Sequence, residues 1–200
     1  MTDRIRFAML AKHNALRGDL AMGVVANGVG GVFLRKANKL KQLDYSCDLE
    51  RRALCRAKLC DNMGEPPEGV FENSAKATNI QLALYELGTR NIQKWWSQIT
   101  KRADAIDQIQ NLYYSHMNIT SFAVIATELT THVGCAAYNC GTYANVVCHY
   151  QTTLTDGSKI YTPGPTCNKC EDGKVSCVNG LCPYKEDDGK CETECEKDDD

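Results

Sequence analysis

Two hundred residues with 43% apolar side chains and a formal net charge of −2 suit one ordinary domain plus a small appendage, and exclude a disordered chain. Twelve cysteines, an even number, favour an oxidising, extracellular setting over a cytosolic one. No run of eighteen apolar residues occurs, so no membrane-spanning helix is expected.

The small net charge hides an asymmetry: residues 171–200 carry net −7 and residues 1–170 net +5. Without a concentrated basic face, general nucleic-acid binding is not expected. Asp198 to Asp200 read as a solvated, frayed end. The opening MTDRIRFAML lacks the apolar core of a signal peptide, so the expectation is a mature secreted chain whose signal has been removed. Asn118-Ile119-Thr120 is the one N-x-S/T sequon and fits secretion.

Thr2 or Asp3 caps a predicted first helix running to about Ala21, with Ile5, Met9, Leu16 and Leu20 on one side; Gly23 stops it. Arg17-Gly18-Asp19 lies within this helix. Integrins read such a tripeptide on an exposed loop tip, but in a helical pattern Arg17 and Asp19 point apart, and the motif reads as incidental. Residues 23–31 form a glycine-rich loop that lacks the strand and Lys-Ser/Thr pair of a phosphate cradle.

Cys47 to Asp61 reads as a second helix. In it Cys47 and Cys60 lie about 20 Å apart along the axis, too far to bond each other, so this helix is stapled outwards. Met63 to Ser74, with Pro66-Pro67 and two glycines, reads as loop. Asn79–Leu87 and Thr89–Ile99 read as helical segments interrupted by Gly88, with Trp95 and Trp96 in a core-facing stripe. Gln110 to Ile119 is a less regular link carrying Tyr113, Tyr114 and His116.

Thr120 to Gln151 organises the rest. Ser121 or Thr120 caps a short helix marked by Phe122, Ile125, Ala126 and Leu129. Val133–Tyr138 and Thr142–Tyr150 then read as strands around the turn-prone Asn139-Cys140-Gly141, where a cross-strand bond between Cys135 and Cys148 is geometrically possible. Thr162-Pro163-Gly164-Pro165 marks a linker, giving a domain over 1–161 and a tail over 162–200. Six cysteines follow in the tail with no histidine among them, which points to a disulfide-stapled module rather than a zinc site. His13, His116, His132 and His149 show no metal-ligand spacing, and His149 reads as a structural, hydrogen-bonded residue.

His13-Asn14-x-x-Arg17, Phe71-Glu72-Asn73, Trp95-Trp96-x-Gln98-Ile99, Val133-Gly134-Cys135-Ala136 and Val147-Cys148-His149-Tyr150 occur in this order. Over roughly residues 4–165 the chain thereby resembles the CAP superfamily, the sperm-coating/pathogenesis-related proteins. The cysteine-rich tail is similar to that of the nematode Ancylostoma-secreted, or activation-associated, members. The resemblance implies an α+β fold, a three-layer α-β-α sandwich with a small disulfide-rich C-terminal extension. It also implies a Cys135–Cys148 bridge and suggests a Cys47–Cys140 bridge.

Many CAP proteins hold a divalent cation with two histidines and two glutamates, a donor set suited to zinc. Carried across, Glu72 remains; Gln98 stands for the second glutamate and Ser121 for one histidine. The other histidine position falls near Gly64. The expectation is no metal, no cofactor and no catalysis, so not an enzyme. What the resemblance implies instead is a secreted effector that binds a host integrin or other cell-surface protein and inhibits platelet or leukocyte adhesion. Residues 62–74 and 104–119 are the candidate contact loops. The alternative is a lipid- or sterol-binding protein, with Tyr113 and Tyr114 near the ligand.

Overall fold

The computed structural model describes residues 1–184 and Cys191. Helix α1 spans Asp3–Met22 and ends at Gly23, whose left-handed backbone (φ 73°) lets its N–H close onto the carbonyls of Asp19 and Leu20. Helix α2 spans Cys47–Lys58 and is capped by Ser46, whose side chain accepts from Leu49 N–H. It is shorter than the expected 47–61, because Cys60 takes φ 51° and only a 3-10 turn over Cys60–Asn62 follows.

Helix α3, Leu84–Thr100, runs unbroken through Gly88, contrary to the expected interruption. A Cβ on Gly88 would lie 2.1 Å from Met9 Cε, so this glycine lets α1 approach α3 rather than breaking the helix. Residues 79–83 are turn, not helix; the Glu86 carboxylate reaches back to accept from Ala83 N–H at 3.1 Å and fixes the start of α3 there. Helix α4 is short, Thr120–Ala126.

Among the described residues four strands form one sheet: β1 (Asp44–Tyr45), β2 (Phe71–Ala77), β3 (Thr130–Asn139) and β4 (Ala144–Thr152), in the order β1-β3-β4-β2. β1 runs parallel to β3, and the other pairings are antiparallel. β2 begins inside the stretch expected to be loop. Pairing with β4 from Phe71↔Tyr150 to Ala77↔Ala144 overrides its weak local signal.

The sheet is covered on both faces, giving the three-layer α-β-α sandwich. On one face Ala53, Leu54 and Ala57 of α2 pack on Ala136 and Val147. A Cβ on Gly134 would lie 2.2 Å from Glu50 N, so a residue without a side chain lets α2 sit this close. The other face holds the main core, with Met9, Leu20, Trp95, Trp96, Phe122 and Tyr150. Both tryptophans are core residues, and Trp96 meets Phe122 edge-on at 4.8 Å.

Cys135 and Cys148 are register partners in β3 and β4 and are bonded, with a Cα separation of 4.0 Å. Cys140 bonds Cys60, and Cys47 bonds Cys191, which corrects the Cys47–Cys140 pairing. The β3–β4 turn comes down at the C-terminal end of α2, where Asn145 Nδ2 donates to the carbonyls of Ala57 and Cys60. Cys47 lies at the other end of this helix, about 18 Å away. Cys55 is disulfide-bonded as well.

In the tail, Cys167 pairs with Cys177 and Cys170 with Cys182. The Pro-Gly-Pro linker is laid against the domain: Asn38 N–H donates to Thr162 O and Gly164 N–H to Lys36 O. Further on, Cys182 N–H donates to Leu40 O, and Leu181 is buried within the main core. The tail is thus bound to the sandwich by backbone bonds and apolar packing.

Candidate functional site

Glu72 on β2 stands opposite His149 on β4. Strand alternation sends Glu72 to the α2 face and its neighbour Asn73 to the other. Both Glu72 oxygens are occupied. Oε2 accepts from Arg56 Nε and from His149 Nε2, each at 3.0 Å, and Oε1 accepts from Arg56 Nη2 at 3.3 Å. Burial pushes this carboxyl up, but the bonds from His149 and Arg56 outweigh it and hold the group down at about 2. The Arg56 guanidinium also donates to Met63 O and Gly64 O, tying in the loop where a further metal-binding histidine would stand.

Gln98 and Ser121 are engaged elsewhere. Gln98 Oε1 accepts from Phe122 N–H at 3.0 Å, so α3 supplies the cap of α4. That corrects the expected cap at Thr120 or Ser121: the helix starts at Thr120, behind Ile119, with no side-chain cap of its own. Thr120 instead meets the Tyr113 hydroxyl at 2.8 Å. Asn73, not Glu72, approaches Ser121, donating to its carbonyl at 3.1 Å.

The three positions carried over from the family's cleft are therefore not brought together as a donor set. One carboxylate is already neutralised, one amide caps a helix, and the third position is a serine. A divalent cation needs several imidazole or carboxylate donors converging on it, and these residues do not fit one. Among the described residues, the sets of three potential donors that do converge are His13-Cys135-Cys148 and Cys167-Cys170-Cys177. Their cysteines are in disulfides and offer no thiolate.

The polar interior has a structural role. His13 Nδ1 donates to Met9 O at 2.8 Å, and Nε2 faces the Tyr150 hydroxyl at 3.0 Å. Burial pulls this imidazole down to about 4, so at neutral pH it is uncharged and Nε2 accepts from Tyr150. The Tyr150 oxygen in turn accepts from Asn73 Nδ2 at 3.2 Å. The chain His13–Tyr150–Asn73–Ser121 links α1, the sheet and α4.

Arg17 is fully buried. Its guanidinium donates to Lys41 O (3.1 and 2.8 Å), Ile125 O (2.6 Å) and Thr127 O (2.8 Å). Burial pulls it down to about 9, still charged at neutral pH. A Cβ on Gly18 would lie 2.6 Å from Asn179 O of the tail. Arg17-Gly18-Asp19 is thus an interior helix segment, not an exposed loop tip, and the integrin-motif reading fails on burial.

Of the two candidate contact loops, 62–74 is partly consumed by β2. The other, 104–119, borders a crevice of about 370 Å³ lined in part by Tyr114, His116 and Asn118. Tyr114 stacks on His116 with centroids 5.5 Å apart, while Tyr113 is buried. Asn118 is exposed, at φ 55°, so the sequon is accessible at the rim of this crevice.

A surface not singled out in the sequence lies beside this loop. Ala26 bridges Phe33, and Asn27 N–H donates to Val32 O at 2.7 Å, closing a hairpin. Asn27 is clamped to both backbone groups of Ile106, and Val29 N–H donates to Arg102 O at 2.9 Å. At the tip Val29, Val32 and Phe33 are more than half exposed, and Ile109 is 84% exposed. Gln108 joins the two segments, donating to Phe33 O and accepting from Arg35 N–H. The only sequence signal was an apolar tip in a glycine-rich loop.

Residues 10–150 match the family model described as cysteine-rich secretory protein family, CAP. The chain belongs to the CAP family. An Ancylostoma secreted protein from Ancylostoma caninum is 27% identical over 91% of this chain and 45% of its own length. The chain thus spans under half of that relative. Hookworm platelet inhibitor 1, from the same organism, is 30% identical over 73% of this chain and 69% of its own. In fold, the chain is similar to the structure of NaASP2 with Zn2+, with a TM-score of 0.80 and 24% identity over 91% of this chain and 96% of that one. The CAP relatives thus include proteins named for secretion and for platelet inhibition. The disulfides are consistent with an extracellular location. Among the described residues no helix is long and apolar enough to cross a membrane.

Proposed function

We propose that this CAP protein is a secreted, non-enzymatic effector that binds a host cell-surface protein of the integrin class and so inhibits platelet or leukocyte adhesion. The observation that carries this reading is the apolar surface of Val29, Val32, Phe33 and Ile109. Gln108 holds the two segments that carry these side chains next to each other, and exposed apolar surface gathered in one place marks an interaction site. The clamped hairpin holds the patch in shape before contact, so little ordering entropy is lost on binding. Tyr114 and His116 extend the surface with the rim chemistry of a protein interface. The relative named as a platelet inhibitor supports a host partner and the platelet as a target cell. In this reading residues 1–161 bind and the tail over 162–200 braces them.

The test is binding of the recombinant protein to a panel of purified integrins, with platelet and neutrophil adhesion measured in parallel. Val32→Asp/Phe33→Asp is expected to weaken receptor binding at least tenfold while the melting temperature is preserved. Unchanged binding by that variant would remove the hairpin from the interface, and absence of binding to every integrin would overturn the receptor class.

A further inference from the structure

Residues 35–41, Arg-Lys-Ala-Asn-Lys-Leu-Lys, place four bases in seven positions. The fold aims them. Ala37, Asn38 and Leu40 are buried, which leaves Arg35, Lys36 and Lys39 exposed on a segment that bends at Asn38 and Lys39. The tail lies beside that segment and adds Lys169 and Lys174, both exposed, with Lys169 N–H donating to Asn38 O at 2.9 Å. Lys39 and Lys41 have carboxylate partners in Glu128 and Glu171.

Between segment and tail is an open cavity of about 940 Å³. Arg35, Lys36 and Lys174 line it, and the remaining lining among the described residues is Met22, Thr166, Pro165, glycine backbone and cystine sulfur, with no carboxylate among them. We propose that this groove binds a sulfated glycan. Cations converging from two separate segments on an open trough fit a linear polyanion, whose condensed counterions are released on contact. Among the described residues no aromatic side chain lines the trough, so they offer no stacking platform of the kind single-stranded nucleic acids use. The site is independent of the apolar hairpin and of the receptor reading above.

The experiment titrates the full-length protein with a heparin-derived hexasaccharide and with its fully desulfated counterpart at about 0.15 M salt. The sulfated form is expected to bind and the desulfated form not. Lys36→Glu/Lys174→Glu should lower affinity by about a hundredfold and make the log affinity–log salt slope shallower by about two. Lys58→Glu/Lys94→Glu carries the same change in net charge away from the groove and should lose less than about threefold, with melting temperatures confirming that both variants fold. Equal losses in the two variants would overturn the site. So would no binding by the wild type. Equal competition by a single-stranded oligonucleotide of matched charge would overturn the glycan assignment.

Discussion

Glu72 Oε2 lies 3.0 Å from His149 Nε2 and 3.0 Å from Arg56 Nε, so the carboxylate that relatives can offer to a cation is answered within this chain. Zinc titration by calorimetry should show no site tighter than about 1 μM. Gln98→Glu combined with Ser121→His should not create one, because Glu72 points to the α2 face. A tight stoichiometric site in either protein would contradict this account.

Acid should act on the fold in two stages. His13 is lowered to about 4 from an unfolded value of 6.5, so the unfolded chain binds the proton first and stability falls as pH drops from about 6.5 towards 4. The loss is roughly 3 kcal/mol. Glu72 is lowered to about 2 from 4.5, so its contribution is present above 4.5 and is lost as pH falls towards 2. Urea midpoints measured across pH 2–7 should show both windows, and His13→Gln should flatten the upper one.

Arg17 and Asp19, two residues apart, should behave in opposite ways. Arg17→Met leaves four hydrogen bonds to three carbonyl oxygens unmade, two of them fully buried, and should cost about 3 kcal/mol or more in denaturant titration. Asp19→Ala should change stability by less than about 1 kcal/mol and leave receptor binding as in the wild type. A binding defect in Asp19→Ala would restore the tripeptide as a contact.

Peptide mapping of the unreduced protein should recover Cys60 linked to Cys140 and Cys47 linked to Cys191. The Cys60–Cys140 bond spans 80 residues, and Cys60→Ser/Cys140→Ser should lower stability by about 4 kcal/mol on the chain-entropy estimate. A Cys47–Cys140 peptide would overturn the pairing.

The sequence made the helices and central strands legible where periodicity was strong. α1, α2 and the β3–β4 pair fall close to their expected places. β2 was hidden because Phe71-Glu72-Asn73-Ser74 is polar and follows two prolines; its identity comes from the β4 edge, not from its own residues. Gly88 reads as a helix breaker until Met9 is seen against it. At the cleft, motif order singled out Glu72, Gln98 and Ser121, but Arg56 was invisible as a partner because it lies sixteen positions before Glu72, across a turn and a loop. Strand alternation across Glu72-Asn73 was the available clue that the two point to opposite faces.

The bridges from α2 also decide what a protease can accomplish. A single cut at residues 64–69 or 104–118 leaves both pieces joined through Cys60–Cys140 and Cys47–Cys191. The exposed Gly30-Gly31 tip is different: no cysteine precedes Cys47, so a cut there leaves α1 held by noncovalent contacts alone, its packing, the Arg6–Glu50 ion pair and the bonds of His13, Asn14, Arg17 and Asn27 among them. The molecule withstands nicking in most of its exposed loops, and the hairpin that presents the apolar surface is the place where one cut would begin to take it apart.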